Sequence, residues 1–210
     1  MSTLDTRRRG VMLSIAVAAM VALCALPAGA AGTRVNETKY GFSFSLPANW
    51  VPIPLNGADI SKILGRATKA DPALKKGLTK EIEQAAKSAV KFFAVGPISN
   101  SFASNINIIV ESSAGQPTGP SYFSVIEPQI KSQLIKDGFE GLQTAVVQLA
   151  MGKEITATYH LPTGVAGQVA QGLQLYVRHK SHIEIITFTS TTQSIDHSAA
   201  TVLEDSWQWH

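Results

Sequence analysis

The densest group of chemically capable side chains is the run RHKSH at residues 178–182. His179 and His182 are three residues apart, and with His160 from a neighbouring strand their imidazole nitrogens could bind zinc. The run also lies between two strand-like stretches, where a solvated polar turn is expected. Three-residue spacing across a turn does not bring side chains together as it does on a helix, so we expect no metal site. The binding candidates in this run are Arg178, His179 and Lys180.

A second group of charges lies on one side of a predicted helix. It consists of four lysines: Lys76, Lys80, Lys87 and Lys91. Such a stripe could bind an acidic partner or anionic lipid head groups. It is also typical of a solvated helix face, and Glu83 interrupts it while pairing well with Lys87 at i, i+4 spacing. Both interpretations stay open, and the four lysines complete the set of candidate binding residues.

No motif of a known catalytic or cofactor site is present. The sequence lacks the G-x-S-x-G, P-loop, H-E-x-x-H and G-x-G-x-x-G patterns. Serine, histidine and aspartate all occur, but no local signature joins them, although a dispersed triad could assemble in space. We therefore expect a protein that is not an enzyme and has no cofactor, with an unrecognised hydrolase as an alternative.

The N-terminus has the features of a secretory signal. Three arginines at 7–9 precede the apolar stretch Val11–Leu26, and Ala28-Gly29-Ala30 is a plausible cleavage site. The apolar stretch is shorter than the roughly 20 residues of a spanning helix. We predict a cleaved signal over 1–30, with a retained anchor as the alternative. The arginines only loosely resemble a twin-arginine signal, so the export route stays open.

Cysteine usage and charge limit the class of the mature protein. The single cysteine, Cys24, follows Leu23 rather than a small residue, which disfavours lipidation, and its removal with the signal would leave no disulfide. The remaining 180 residues carry 15 basic and 14 acidic side chains, a net charge of +1. Such a balance disfavours a nucleic-acid binder. The length suits one globular domain over 31–210.

The periodicities predict an α+β domain. Aromatic and apolar residues at every second position over 40–46 predict a core-facing strand that ends at Pro47, with Trp50 packing at the corner. Asp71-Pro72 is typical of a helix start, and the apolar spacing from Leu74 to Ala89 predicts a helix. The stretches FFAVG and SNINIIVE predict strands.

The second half of the chain predicts a helix, four strands and a closing helix. A helix is expected over 122–137, with Ile126, Ile130 and Leu134 buried and Gly138 as its stop. Pro128 fits only near the first turn of this helix, or else kinks it. LQTAVVQLA, KEITATYHL, QGLQLYVR and HIEIITFTS predict antiparallel hairpins. The spacing in IDHSAATVLEDSWQWH predicts a closing helix. Its buried residues are expected to be Ile195, Ala199, Val202, Leu203 and Trp207.

Three stretches resemble the PsbP-like family. YGFSFSLPANW looks like its opening strand, KFFAVGPISNSFASNINIIVE like its second strand pair, and AATVLEDSWQW like its closing helix. The family includes an extrinsic protein of photosystem II, a Ran-release factor of yeast nuclear import and secreted actinobacterial proteins, among them LpqN-type lipoproteins. The resemblance covers most of 36–209 and implies an antiparallel sheet flanked by helices. It carries no catalytic motif and implies a binding or assembly role.

These observations lead to a first functional hypothesis. We expect an exported accessory factor, secreted or held in the cell envelope or periplasmic space, that binds an unknown protein or envelope component. The weakly favoured contact regions are the lysine-bearing helix and the 178–182 turn. A small-molecule or lipid carrier, with a pocket between sheet and helices, is the main alternative.

Overall fold

The computed structural model describes residues 32–55, 78–79, 82–83, 85–99, 102–119, 121–162, 168–191 and 197–210. The predicted signal at 1–30, the short helix predicted near 59–64 and the start of the predicted helix at Asp71-Pro72 lie outside these residues. The elements, in chain order, are β1 (Arg34–Glu37), β2 (Phe42–Ser45), β3 (Val51–Pro52), β4 (Val90–Ser99), β5 (Phe102–Ser112), α1 (Ser121–Lys136), β6 (Glu140–Leu149), β7 (Gly152–Pro162), β8 (Val169–His179), β9 (His182–Ser190), α2 (His197–Ser206) and β10 (Gln208–Trp209).

The strands form two antiparallel sheets. The main sheet has seven strands in the order β3-β4-β5-β9-β8-β7-β6, and the small sheet has three in the order β1-β2-β10. The four predicted strands of the second half pair as successive hairpins. The α+β prediction, with helices flanking an antiparallel sheet, is confirmed. The pairing of β9 with β5, which joins the two halves of the main sheet, could not be read from local patterns.

Helix α1 matches its prediction closely. Ile126 and Leu134 are buried, and Gly138 follows the helix with a φ of +85° that a residue without Cβ adopts without strain. The amide of Phe139 donates to the carbonyl of Leu134 at 3.1 Å, which satisfies one of the free carbonyls at the helix end. Pro128 lies well inside the helix rather than in its first turn, which is the placement for which the sequence predicts a kink.

The aromatic run at 40–46 forms the centre of the small sheet. Phe42, Phe44 and Leu46 are fully buried, and the strand ends before Pro47 as predicted. Trp50 is buried at the corner, where its ring fills the space that a side chain at Gly96 would need. Apolar residues occupy one face of this strand, and Ser43, which points to the other face, is buried as well.

The chain end contains a helix and a short strand. Ala199, Leu203 and Trp207 are buried as predicted, but Val202 is 39% exposed and faces away from the core. The chain leaves the helix after Ser206, and Gln208–Trp209 pairs with β2 as β10. The predicted burial of Val202 is therefore wrong, and Ile195 lies outside the described residues.

The predicted lysine-bearing helix ends earlier than expected. Among its described residues, Leu78, Ile82 and Ala85 are fully buried on the predicted stripe. The chain then turns at 87–89 and enters β4 at Val90. Ala89 is exposed, so its predicted place on the buried stripe is wrong.

The main sheet is covered on both faces. The α1 layer lies between this sheet, α1 and the helical residues before β4, and includes Phe93, Tyr122, Ile126, Ile155, Tyr159 and Tyr176. The small-sheet layer lies on the opposite face beneath the small sheet and α2, and includes Phe42, Phe44, Ile106, Leu175, Val177, Leu203 and Trp207. Successive residues of a central strand therefore enter different layers.

Candidate functional site

The 178–182 run does not form one site, because its side chains alternate between the two layers. Arg178 is opposite Ile183, which belongs to the α1 layer, whereas His179 is opposite His182 on the face of Val177. Lys180 occupies the tight turn with a left-handed φ of +52°. Among the described residues, no three His, Cys, Asp or Glu side chains are placed to hold a metal ion.

Arg178 is bound within the fold. Its guanidinium lies 4.9 Å from the ring centroid of Tyr122 and donates to the carbonyl of Pro117. These contacts connect the end of β8 to the loop before α1 and to its first turn. Arg178 is half-buried, and its described contacts stabilise the fold.

His179 and Lys180 contact the last residues of the chain. The His179 ring lies 4.0 Å from the centroid of Trp209, and Lys180 Nζ donates to the carbonyl oxygen of His210 at 2.9 Å. The pKa of His179 is lowered, first by burial and then by the charges of Lys180 and His182. The three binding candidates of this run thus serve two different layers, and their role in binding stays a prediction.

The lysine stripe is only partly described. Lys76 and Lys80 lie outside the described residues, and Lys87 is exposed in the turn at 87–89. Lys91 is half-buried in β4, so the prediction that it shares a helix face with the other lysines is wrong. A single helical stripe of four lysines does not exist, although binding by the individual lysines stays a prediction.

One serine and one histidine come close enough for a hydrogen bond. Ser43 Oγ lies 2.9 Å from His210 Nε2 and accepts a hydrogen bond from Arg34 at 2.6 Å. Ser43 is only 1% exposed. A substrate could not reach this hydroxyl, as a nucleophile would require. The pair therefore connects β1, β2 and the chain end, and does not resemble an activated nucleophile.

Two glutamates are fully buried in the small-sheet layer. Glu154 and Glu184 are each 0% exposed, and neither oxygen of either carboxyl has a hydrogen-bond partner among the described residues. Both lie directly opposite Val177 in the sheet register, so the three side chains form one row on one face. The buried indole Nε1 of Trp207, in the same layer, also has no partner within the described part of the chain.

Burial changes the acidity of both glutamates. It raises the pKa of Glu154 to about 8, with a further contribution from Glu204 on α2. Burial also raises the pKa of Glu184, to about 7. A charge without a partner in an apolar layer is strongly unfavourable, so the neutral acid is preferred.

The outer strand β6 exposes a long free edge. Among the described strands, β6 pairs only with β7. A register shift between Glu140 and Gln143 is followed by seven consecutive pairs from Gln143 to Leu149. These seven residues, QTAVVQL, contain no charge and no proline. Val146 is 37% exposed on this strand.

A polar strip lies on the α1 face of the central strands. Gln174, Thr187 and Asn107 are neighbours in one register row, and Thr189 and Asn105 are neighbours in the next. Four of the five are buried, and Asn107 is half-buried. Tyr176 donates to Gln174 at 2.5 Å. The strip offers neutral hydrogen-bond donors and acceptors.

No family model and no curated protein matches this sequence. It is similar to a solved Bacteroides thetaiotaomicron protein (TM-score 0.49, 10% identity, 85% of this chain), and it spans 48% of that protein's length. It is also similar to the cyanobacterial PsbP (CyanoP) of Synechocystis (TM-score 0.43, 13% identity, 90% and 99% of the two chains). A third is LpqN of Mycobacterium tuberculosis, involved in cell envelope biogenesis (TM-score 0.44, 11% identity, 86% of each chain).

These TM-scores are below 0.5 and support no functional inference. Within the described residues, no helix is both long enough and apolar enough to cross a bilayer.

Proposed function

We propose that this chain is an exported, non-enzymatic accessory factor that binds a partner protein or another component of the cell envelope. The observation that carries the proposal is the uncharged free edge of β6. An unpaired strand edge presents a row of backbone donors and acceptors, to which an extended segment of a partner can add as a further strand.

The other outer strands are protected against such pairing. At the far edge of the main sheet, β3 has two residues, one of them Pro52. In the small sheet, β1 carries Arg34 and Glu37 within four residues. Short length, proline and charge are the usual means of blocking an edge. Gln143–Leu149 of β6 has none of them, which supports strand addition at this edge.

A charge on β6 should therefore abolish partner binding. Val146→Lys places an ammonium group on the edge, where a docked strand would have to desolvate it. We expect at least a tenfold loss of partner capture from an envelope extract, measured by quantitative mass spectrometry after site-specific photo-crosslinking from Gln148.

The matched control is Val202→Lys. Val202 has nearly the same exposure, 39% against 37%, but lies on α2. The Val202→Lys variant should leave capture of the partner unchanged. If both variants capture the partner as well as the unmodified chain does, or if both lose capture equally, the proposal that the partner binds at β6 is wrong.

A small-molecule carrier is the second candidate, and the polar strip of the α1 layer favours it. Amide and hydroxyl groups on this face would suit a neutral ligand with its own donors and acceptors better than a lipid chain. Native mass spectrometry of the purified full chain tests this candidate. A bound neutral polar molecule would support it, and an unliganded mass in every preparation would count against it.

A further inference from the structure

Glu154 and Glu184 lie in the layer that the end of the chain covers. The pairs Glu154–Val177 and Val177–Glu184 place both carboxyls on the small-sheet face of the main sheet. Glu204 of α2 acts electrostatically on Glu154, so α2 lies close to this carboxyl. Ionisation of either group would place an unpaired charge in an apolar layer, which costs free energy because the charge is removed from water. Hydration of the carboxylate would remove this cost.

The α2–β10 segment, residues 197–210, forms one part of this cover. Its strand pairing is short, since β10 pairs with β2 through two residues and β1 pairs with β2 through four. The segment also packs Ala199, Leu203 and Trp207 into the small-sheet layer, and Trp209 Nε1 donates to the carbonyl of Met151 at 3.1 Å. Arg34 also donates to the carbonyl of Ser206 at 2.8 Å.

We propose that the α2–β10 segment is a pH-operated cover, closed while Glu154 and Glu184 are protonated and released from the main sheet when they ionise. Release hydrates both carboxylates and exposes Trp207 and Trp209. Local opening of the element that covers the two carboxyls is the expected response to the free-energy cost of their ionisation. This device does not depend on the proposed partner binding at β6.

The charged groups around the two carboxyls give no compensating contact among the described residues. On α2, the charged group that acts on Glu154 is Glu204, which is itself an acid and cannot compensate a carboxylate. From the small sheet, Glu37 is half-buried, and Arg34 is exposed and bonded to Ser43, Ser206 and Gln208. From the main sheet and the chain end, the candidates on this face are His179, Lys180, His182 and His210. Lys180 and His210 contact each other, and His179 packs on Trp209.

Tryptophan fluorescence of the full chain tests the proposal. Trp50→Phe leaves Trp207 and Trp209 as the only emitters. Between about pH 6 and pH 9 we expect a red shift and stronger acrylamide quenching. The midpoint should lie between about 7 and 8, to which burial raises the pKa of Glu184 and Glu154. Glu154→Gln with Glu184→Gln should abolish the shift.

Further variants keep the test decisive. Glu204→Gln removes a charge that raises the pKa of Glu154, so it should move the midpoint to lower pH without abolishing the shift. If the double variant does not fold, Glu154→Gln and Glu184→Gln should each remove part of the amplitude. A shift of full amplitude in the folded double variant or in both single variants, or no shift in the Trp50→Phe protein, would overturn the proposal.

Discussion

The two layers of the main sheet treat their polar groups differently. In the α1 layer, the Tyr176 hydroxyl donates to Gln174, and Arg178 lies over Tyr122 while donating to Pro117. In the small-sheet layer, two carboxyls and an indole N–H are buried beneath stacked aromatic rings and have no partner among the described residues. The hydroxyl and amide groups of the α1 layer do not titrate near neutrality, so they leave the stability of that layer insensitive to pH there. Unpaired acids make stability conditional on their protonation.

The largest expected effect tests whether aromatic packing holds the small-sheet layer together. Phe42 is fully buried and stacks on Trp207 at 4.7 Å. Phe42→Ala should lower the free energy of unfolding by about 3–5 kcal/mol, measured by denaturant titration. Tyr40→Ala, at the half-buried end of the stack, should cost about 1 kcal/mol. If the two variants lose the same free energy of unfolding, packing of the buried Phe42 does not stabilise the layer more than packing of the half-buried Tyr40.

The second prediction concerns how the free energy of unfolding depends on pH, which should reflect the buried acids of the small-sheet layer. Glu154 has a pKa near 4.5 when unfolded and about 8 when folded. Between these values the folded state binds more protons, so the free energy of unfolding falls as pH rises. This contribution is greatest below about pH 4.5 and is lost by about pH 8.

Glu154→Gln should therefore stabilise the protein at pH 8, by about 1–3 kcal/mol, and change little at pH 5. Thermal unfolding at the two pH values measures the difference. The exposed Glu111, on the opposite face, provides the control, and Glu111→Gln should behave like the unmodified chain at both values. A Glu154→Gln protein that loses stability equally at pH 5 and 8 would contradict the assignment.

The smallest effect concerns the α1 layer. The Tyr122 hydroxyl is buried without a partner, so Tyr122→Phe should change the free energy of unfolding by no more than about 0.5 kcal/mol. Tyr176→Phe instead leaves Gln174 without its donor and should cost about 1 kcal/mol. Chemical denaturation of both variants measures the contrast, and a costly Tyr122→Phe would reveal a hidden partner for that hydroxyl.

Local patterns were sufficient for most of the fold. Alternation identified the aromatic strand and the four strands of the second half, and Gly138 marked the end of α1 because its left-handed φ suits glycine. The strands β1 and β10 were missed, since four largely polar residues and two residues carry too little periodic signal. Lys91 was predicted on the helix and lies in β4, because its spacing from the other lysines fits a helix but does not exclude the start of the adjoining strand.

Alternation alone could not predict that the two acids are buried. In KEITATYHL, Glu154 alternates with apolar residues and so occupies a position expected to face solvent. In HIEIITFTS, apolar residues lie on both sides of the strand, and Glu184 shares one side with Ile186 and Phe188. They are buried because the chain's first strands and last helix cover that face, an arrangement that depends on contacts distant in sequence. The LQLYV stretch is the part of the sequence from which this burial could have been predicted. Apolar residues on both sides of one strand indicate a sheet with two covered faces.

The alternation of β8 between the layers has a consequence for how this protein can change in evolution. Deleting one residue within β8 would move every side chain beyond it to the opposite face, sending Arg178 towards the buried acids and Val177 towards Tyr122. Deletions in the loop at 113–119 would shift no strand register. Length variation should therefore be tolerated in that loop and excluded from β8, even where the individual side chains of β8 can be exchanged.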